Sequence, residues 1–192
     1  MTYAEYSRYT DWAGTMTNYD WARKNFAATD LRGRKLAGAQ FQFTNFRGAD
    51  LRGADLRQTD VRGAKFDRAD LTGADLTGVL AQGASFRQAK LYSVSFRQGL
   101  LLSAHLEGAA LSKADFTGAN LEWAWVEDVA FGDCCLSCAS FLNARGLSAD
   151  VRRMIESKGG ITGVRPMVLG RELYEGNPGE QAVAGKGTRA DL

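Results

Sequence analysis

The sequence predicts an all-β solenoid built from four-sided coils, and three observations carry the prediction. Leu or Phe occupies every fifth position from Phe26 to Phe141 without a slip in register, except at Val61, Ala81 and Val126. Two residues before each of these stands a small residue, most often Ala, with Lys24 and Arg34 as the departures. Phe26, Phe46, Phe66 and Phe86 recur at a longer interval of 20 residues.

A period of five rules out simpler elements. Five residues turn an α-helix through ~500°, so successive Leu and Phe would wander around it. A flat strand alternates sides with period two, and an odd period flips the pattern at every unit. The period survives only if the chain turns a corner in each unit, with the small residue and the Leu or Phe pointing inward. Glycine follows the central residue at such corners in Gly33, Gly38, Gly48, Gly53, Gly63, Gly73, Gly78 and Gly83, as tight turns favour. Twenty residues are four units, so each coil has four sides and stacks its Phe rings on those of the next. Six coils at the strand spacing give a rod of ~29 Å.

The unit resembles that of the pentapeptide-repeat family, A-(D/N)-L-x-x. It stands directly in Ala49-Asp50-Leu51-Arg52-Gly53, Ala54-Asp55-Leu56, Ala69-Asp70-Leu71-Thr72-Gly73, Ala74-Asp75-Leu76-Thr77-Gly78 and Ala119-Asn120-Leu121. Likeness to that family implies a right-handed quadrilateral β-helix over residues 24–145. The handedness comes from the resemblance alone. The family carries many roles on one scaffold, so fold does not name function.

Residues 1–23 form an aromatic-rich arm or cap, with Tyr3, Tyr6, Tyr9 and Trp12 at three-residue spacing. Such a segment either covers the open end of the solenoid or inserts its aromatics into a partner. After Phe141 the register ends. Residues 146–160 read as a short capping helix: Ser148 is its N-cap, Val151, Met154 and Ile155 form one face, and Gly159-Gly160 stop it. Similar proteins of the quinolone-resistance type dimerise through a C-terminal helix, which makes a homodimer an expectation by analogy. Residues 161–192 are a Gly-rich tail that includes Pro166 and Pro178.

One outer face differs from the others. Beside the central residues Phe41, Val61, Ala81, Leu101, Leu121 and Phe141 it carries Phe43, Leu80, Leu100, Leu102, Trp123 and Leu142 outward. Elsewhere Trp125 and Tyr92 are the large outward apolar residues. Leu80 and Leu100 replace the usual Asp or Asn one coil apart, so they should stack. Contiguous apolar surface marks an interaction site, unless the tail or arm folds back over it. Partner-binding candidates are therefore Phe43, Leu80, Leu100, Leu102, Trp123 and Leu142, with Tyr3, Tyr6, Tyr9 and Trp12 of the arm.

Charge is polarised. The net charge of +2 conceals +6 from Lys24 to Leu100 and −4 from Leu101 to Gly146. Arg47, Arg52, Arg57 and Arg62 ring the second coil, and Asp50, Asp55, Asp60, Asp70 and Asp75 lie beside them to neutralise the belt. A girdle facing four ways makes no nucleic-acid groove. Chemistry is sparse. Cys134, Cys135 and Cys138 lack a second Cys/His pair, Cys134 falls in the small inward slot, and His105 reads as a solvated residue. No Ser-His-Asp constellation or glycine-rich phosphate loop is present. No catalytic residue, cofactor or metal is expected.

No apolar run reaches the ~20 residues of a membrane span, and the N-terminus lacks signal-peptide regions, so a cytoplasmic location is expected. The composition and faces point to a non-catalytic structural or interaction protein, a rigid rod presenting an apolar face and its ends to a protein partner or larger assembly. The alternative, by resemblance, is a regulator of type II topoisomerase (DNA gyrase) acting as a DNA mimic. That role needs a continuous acidic stripe, and the basic N-terminal coils do not supply one.

Overall fold

Each five-residue unit is one side of a coil in the computed structural model, which describes residues 20–163. Backbone pairing repeats every 20 residues on four faces. The first face carries Asp20, Gln40, Asp60, Leu80, Leu100, Asn120 and Ser140 at its paired positions, and the second Asn25, Asn45, Lys65, Ser85, His105, Trp125 and Arg145. The third runs from Asp30 through Asp50, Asp70 and Lys90 to Ala110, and the fourth from Lys35 through Asp55, Asp75, Ser95 and Asp115 to Cys135. Six coils therefore begin at Asp20, Gln40, Asp60, Leu80, Leu100 and Asn120, and a partial seventh at Ser140. The solenoid is a right-handed quadrilateral β-helix.

The ladder uses alternating donors. Phe41 N–H donates forward to the Asp60 carbonyl at 2.7 Å, and Asp60 N–H donates back to Ala39 at 3.1 Å. Corners close with a bond of the kind Ala39 N–H makes to the Leu36 carbonyl, 3.1 Å, the corner after Val126 excepted. The third turn residue has positive φ, as a type II turn requires. Fourteen of these corner residues are not glycine, Phe43 (58°) and Trp123 (61°) among them. The corner conformation is thus imposed by the ladder on both sides, and glycine relieves its strain without being necessary for it.

The central positions are buried from Trp21 to Phe141, and the small slots are buried from Ala39 onward, whereas Lys24 is exposed and Thr29 and Arg34 are half-buried. Trp21, assigned to the arm by the repeat boundary at residue 24, is the first inward rung: its N–H donates to Gln40 at 2.7 Å and its ring meets Phe26 edge-on. The Phe column stacks as its period demands, with centroids 5.4 Å (26–46), 4.8 Å (46–66) and 4.9 Å (66–86) apart. In the fourth coil Phe96 meets Phe86 edge-on at 5.5 Å. That coil holds two inward Phe rings beside a central residue that is only Ala81, so the second ring fills space that Ala81 leaves. Burying each Leu or Phe contributes roughly 1.5–3 kcal/mol.

At the C-terminal end the pattern loosens. The third face stops pairing at Ala110, and the Asp133 carboxylate takes the Ser112 hydroxyl at 2.6 Å and the Lys113 N–H in place of a ladder carbonyl. Helix α1 (Ala149–Ser157) then crosses the open coil, with Ser148 Oγ accepting from Val151 N–H. Ile155 is buried, and Val151 and Met154 pack against the core. The chain returns to the first face at Ile161, which receives Phe141 N–H at 2.7 Å. No helix among the described residues is long and apolar enough to cross a membrane.

Candidate partner-binding face

The first face takes its character from what stands beside each inward residue. Leu80 and Leu100 are paired neighbours on consecutive coils, as their spacing requires, and Leu102 flanks the same inward Leu101 as Leu100 does. Leu100 is 37% exposed, while Leu80 and Leu102 are half-buried against it. These three leucines form the apolar centre of the face.

Polar groups border the centre on both sides. Toward the N-terminus, Asp60 is almost buried and receives Arg62 at 2.6 Å and Gln42 at 2.7 Å. Burial alone would raise its pKa, but the Arg62 guanidinium, the Arg62 N–H and Gln42 together hold the carboxyl below the usual range. Toward the C-terminus, Asn120 accepts the Glu122 N–H, and the Glu122 carboxylate accepts Ser140 Oγ at 3.1 Å. Glu122 therefore separates Leu142 from Leu102. Phe43 and Trp123 stand at the corner next to the second face, 61% and 49% exposed. The six apolar residues read from the sequence thus share a face but not one unbroken patch: three cluster, two mark the corner, and Leu142 lies beyond Glu122. Tyr3, Tyr6, Tyr9, Trp12 and the tail from residue 164 fall outside the described residues.

The corner rings are held by specific contacts. Arg23 lies over the Phe43 ring, 5.9 Å from its centroid. The ring itself spreads across Gly63, one coil on. Gln58, Gln88 and Gln98 likewise lean over Gly78, Gly108 and Gly118. Long corner side chains fold toward the C-terminal end wherever the next corner is bare.

The arginine belt is neutralised locally. Arg52 and Arg57 each fork onto the Asp two residues earlier, Asp50 at 2.6 Å and Asp55 at 2.7 Å, and Arg47 reaches Asp67 at 2.9 Å. Along the second face the Arg47–Asp67 pair lines a groove of about 740 Å³ together with Arg68, Arg87, Glu107 and Asp128. It is a ladder of opposite charges, with Arg87 on Glu107 at 3.0 Å.

His105 is not a simply solvated side chain: its ring stacks on Trp125 at 5.7 Å, and Arg145 covers the other side of Trp125 at 4.4 Å. Residues 105, 125 and 145 are 20 apart, so the period could have revealed this stack. Cys134 is buried and its thiol donates to the Leu111 carbonyl at 3.2 Å. Burial first, then the nearby Asp133, pushes the thiol up to about 11. Among the described residues no group of three His, Cys, Asp or Glu side chains could hold a metal ion.

Comparisons with known proteins agree on the repeat. The family model for pentapeptide repeats matches in 8 copies, over residues 25–63, 60–98 and 101–131. No curated protein matches the chain. Similar solved structures include QnrB1, a plasmid-mediated fluoroquinolone resistance protein (22% identity, 81% of this chain and 84% of that one, TM-score 0.42). HetL, involved in heterocyst differentiation regulation in the cyanobacterium Nostoc, is 24% identical over 73% of this chain and 78% of its own, with a TM-score of 0.37. A protein of the Arabidopsis thaliana thylakoid lumen is 25% identical over 78% and 79%, with a TM-score of 0.30.

Proposed function

Since the chain belongs to the pentapeptide-repeat family, we propose that it is a non-catalytic interaction protein whose first face binds a protein partner. The observation that carries this reading is the cluster Leu80, Leu100 and Leu102. At Leu80 and Leu100, side chains that face water replace the Asp, Asn, Ser or Lys found at most other paired positions. An outward apolar cluster on a rigid ladder is ordered before binding, so little side-chain entropy is lost on contact. A DNA-mimic role has less support, because Asp30, Asp50, Asp55, Asp60, Asp67, Asp70, Asp75, Glu107 and Asp115 each face a cation.

The test is comparative. The full chain, its Leu80→Lys/Leu100→Lys variant and a Tyr92→Lys control on the third face are used to capture partners from the native source. Any captured protein is then purified and its binding measured directly. Loss of binding with the double leucine variant and retention with the control is the expected result. Equal binding by all three sinks the reading.

A further inference from the structure

We propose that the occupant of the first face is a second copy of this chain, packed face to face and antiparallel about a two-fold axis between Leu80 and Leu100. This rests on the reading of that face as a binding surface and names its partner. A two-fold axis in the plane of the face and across the rod keeps each residue in its own column and inverts its height. It therefore pairs coils equally distant from the boundary between the fourth and fifth coils, the coils that begin at Leu80 and Leu100.

The pairs this generates match apolar with apolar at the paired positions and cation with anion in the next column, where Gln82 against Leu102 is the exception. At the paired positions, Leu80 meets the second copy's Leu100, and the nearly buried Asp60 meets Asn120. In the next column Arg62, which the structure places in the third coil and not the second, falls opposite Glu122 of the sixth, a cation against an anion, twice by symmetry. Arg62 is 53% exposed at the side chain, so it can turn from Asp60 toward a second carboxylate. Gln82 falls opposite Leu102. At the corner, Gly83 meets Ser103, two small residues at the centre that let the backbones approach. Flanking them, Gly63 meets Trp123, and Gly63 is the corner over which the Phe43 ring lies. Both exposed aromatics of this corner thus become contact partners, with Phe43 of one copy against Trp123 of the other.

The register is specific. An isologous interface must be self-complementary about its axis. Moving the axis by half a coil, onto Leu80, sets Leu100 against Asp60 and Leu102 against Arg62. Moving it onto Leu100 sets Leu100 and Leu102 each against its own copy, but Leu80 against Asn120 and Arg62 against Leu142. Only the axis between the two leucines sets Arg62 against Glu122.

The test uses charge exchange in the full-length chain, with mass read by sedimentation velocity and folding by circular dichroism. The wild type is expected to be a dimer. Arg62→Glu alone and Glu122→Arg alone each set like charges against each other twice, and each should raise the dissociation constant by roughly tenfold or more. Mixing the two single variants should restore the dimer, since residue 62 of one then meets residue 122 of the other with opposite sign at both contacts. A monomeric wild type overturns the proposal. So does a dimer indifferent to both exchanges, or one that mixing fails to restore; dissociation by Met154→Lys on α1 would then place the contact at the cap. If the wild type is monomeric while the Leu80→Lys/Leu100→Lys variant still loses a captured partner, the second copy is excluded and the binding face stands.

Discussion

The ring of Phe43 lies across Gly63, one coil further along the same corner, where a Cβ would come within 2.6 Å of Phe43 Cδ1. Gly83, the next corner along, has the same backbone conformation and nothing within 4 Å of its missing Cβ. The pair separates two effects. Gly83→Ala should lose about 1–2 kcal/mol, the strain of positive φ alone. Gly63→Ala should lose at least as much and also lift the Phe43 ring from its seat. Urea denaturation measures the first, and NMR contacts between the introduced methyl group and the Phe43 ring report the second.

Phe66 has a stacked ring on either side, Phe46 at 4.8 Å and Phe86 at 4.9 Å. Phe66→Ala opens a cavity in the middle of this column and should cost roughly 3–5 kcal/mol. Phe66→Leu, which nearly fills the space, should cost markedly less. Chemical denaturation of both variants decides; equal, small losses would show that the column relaxes around the gap.

Acid should destabilise the rod through its Asp–Arg forks. The carboxyls of Asp50 and Asp55 are held low chiefly by hydrogen bonds from Arg52 and Arg57, and that of Asp30, beside Arg32, is brought to about 2. A carboxylate with a depressed folded pKa adds stability above its unfolded value, near 3.9, which is lost as pH falls through the folded value. The melting temperature should therefore be flat from pH 7 to 5 and decline between roughly pH 4 and 2. The forks are largely exposed, so each contributes modestly. Asp60→Asn, at the least exposed of them, should flatten part of that acid limb. A decline beginning near pH 6 would point to a different group.

The three cysteines should differ sharply in reactivity. Cys135 and Cys138 are exposed, whereas Cys134 is buried with its thiol pushed up to about 11. A thiol reagent at pH 8 should modify two groups in the native protein and the third only in denaturant. Rapid modification of all three in the native state would contradict the buried slot.

Much of the apolar face was legible in the sequence, because a strict period turns residue number into position. Leu80 and Leu100 are 20 apart, so their adjacency follows from counting. The separation of Leu142 from Leu102 by Glu122 follows from the same count. What counting could not supply was direction. That Phe43 leans forward over Gly63 and that Arg62 turns onto Asp60 depend on side-chain torsions chosen among neighbours. Trp21 was missed because it is neither Leu nor Phe and because Tyr19, two residues earlier, is not small.

The sequence by itself determined the solenoid, its four sides, its six coils and the inward ladder. Those follow from a five-residue period that no helix or flat strand can satisfy. The tertiary structure alone decided where the regularity fails and what the surface presents. Corners take positive φ at Phe43 and Trp123 because ladder bonds on both sides leave the chain no other path. The third face opens after Ala110 because the Asp133 carboxylate replaces a backbone acceptor. Period is a property of the chain, but exposure, pairing and symmetry across a face arise only when coils lie side by side.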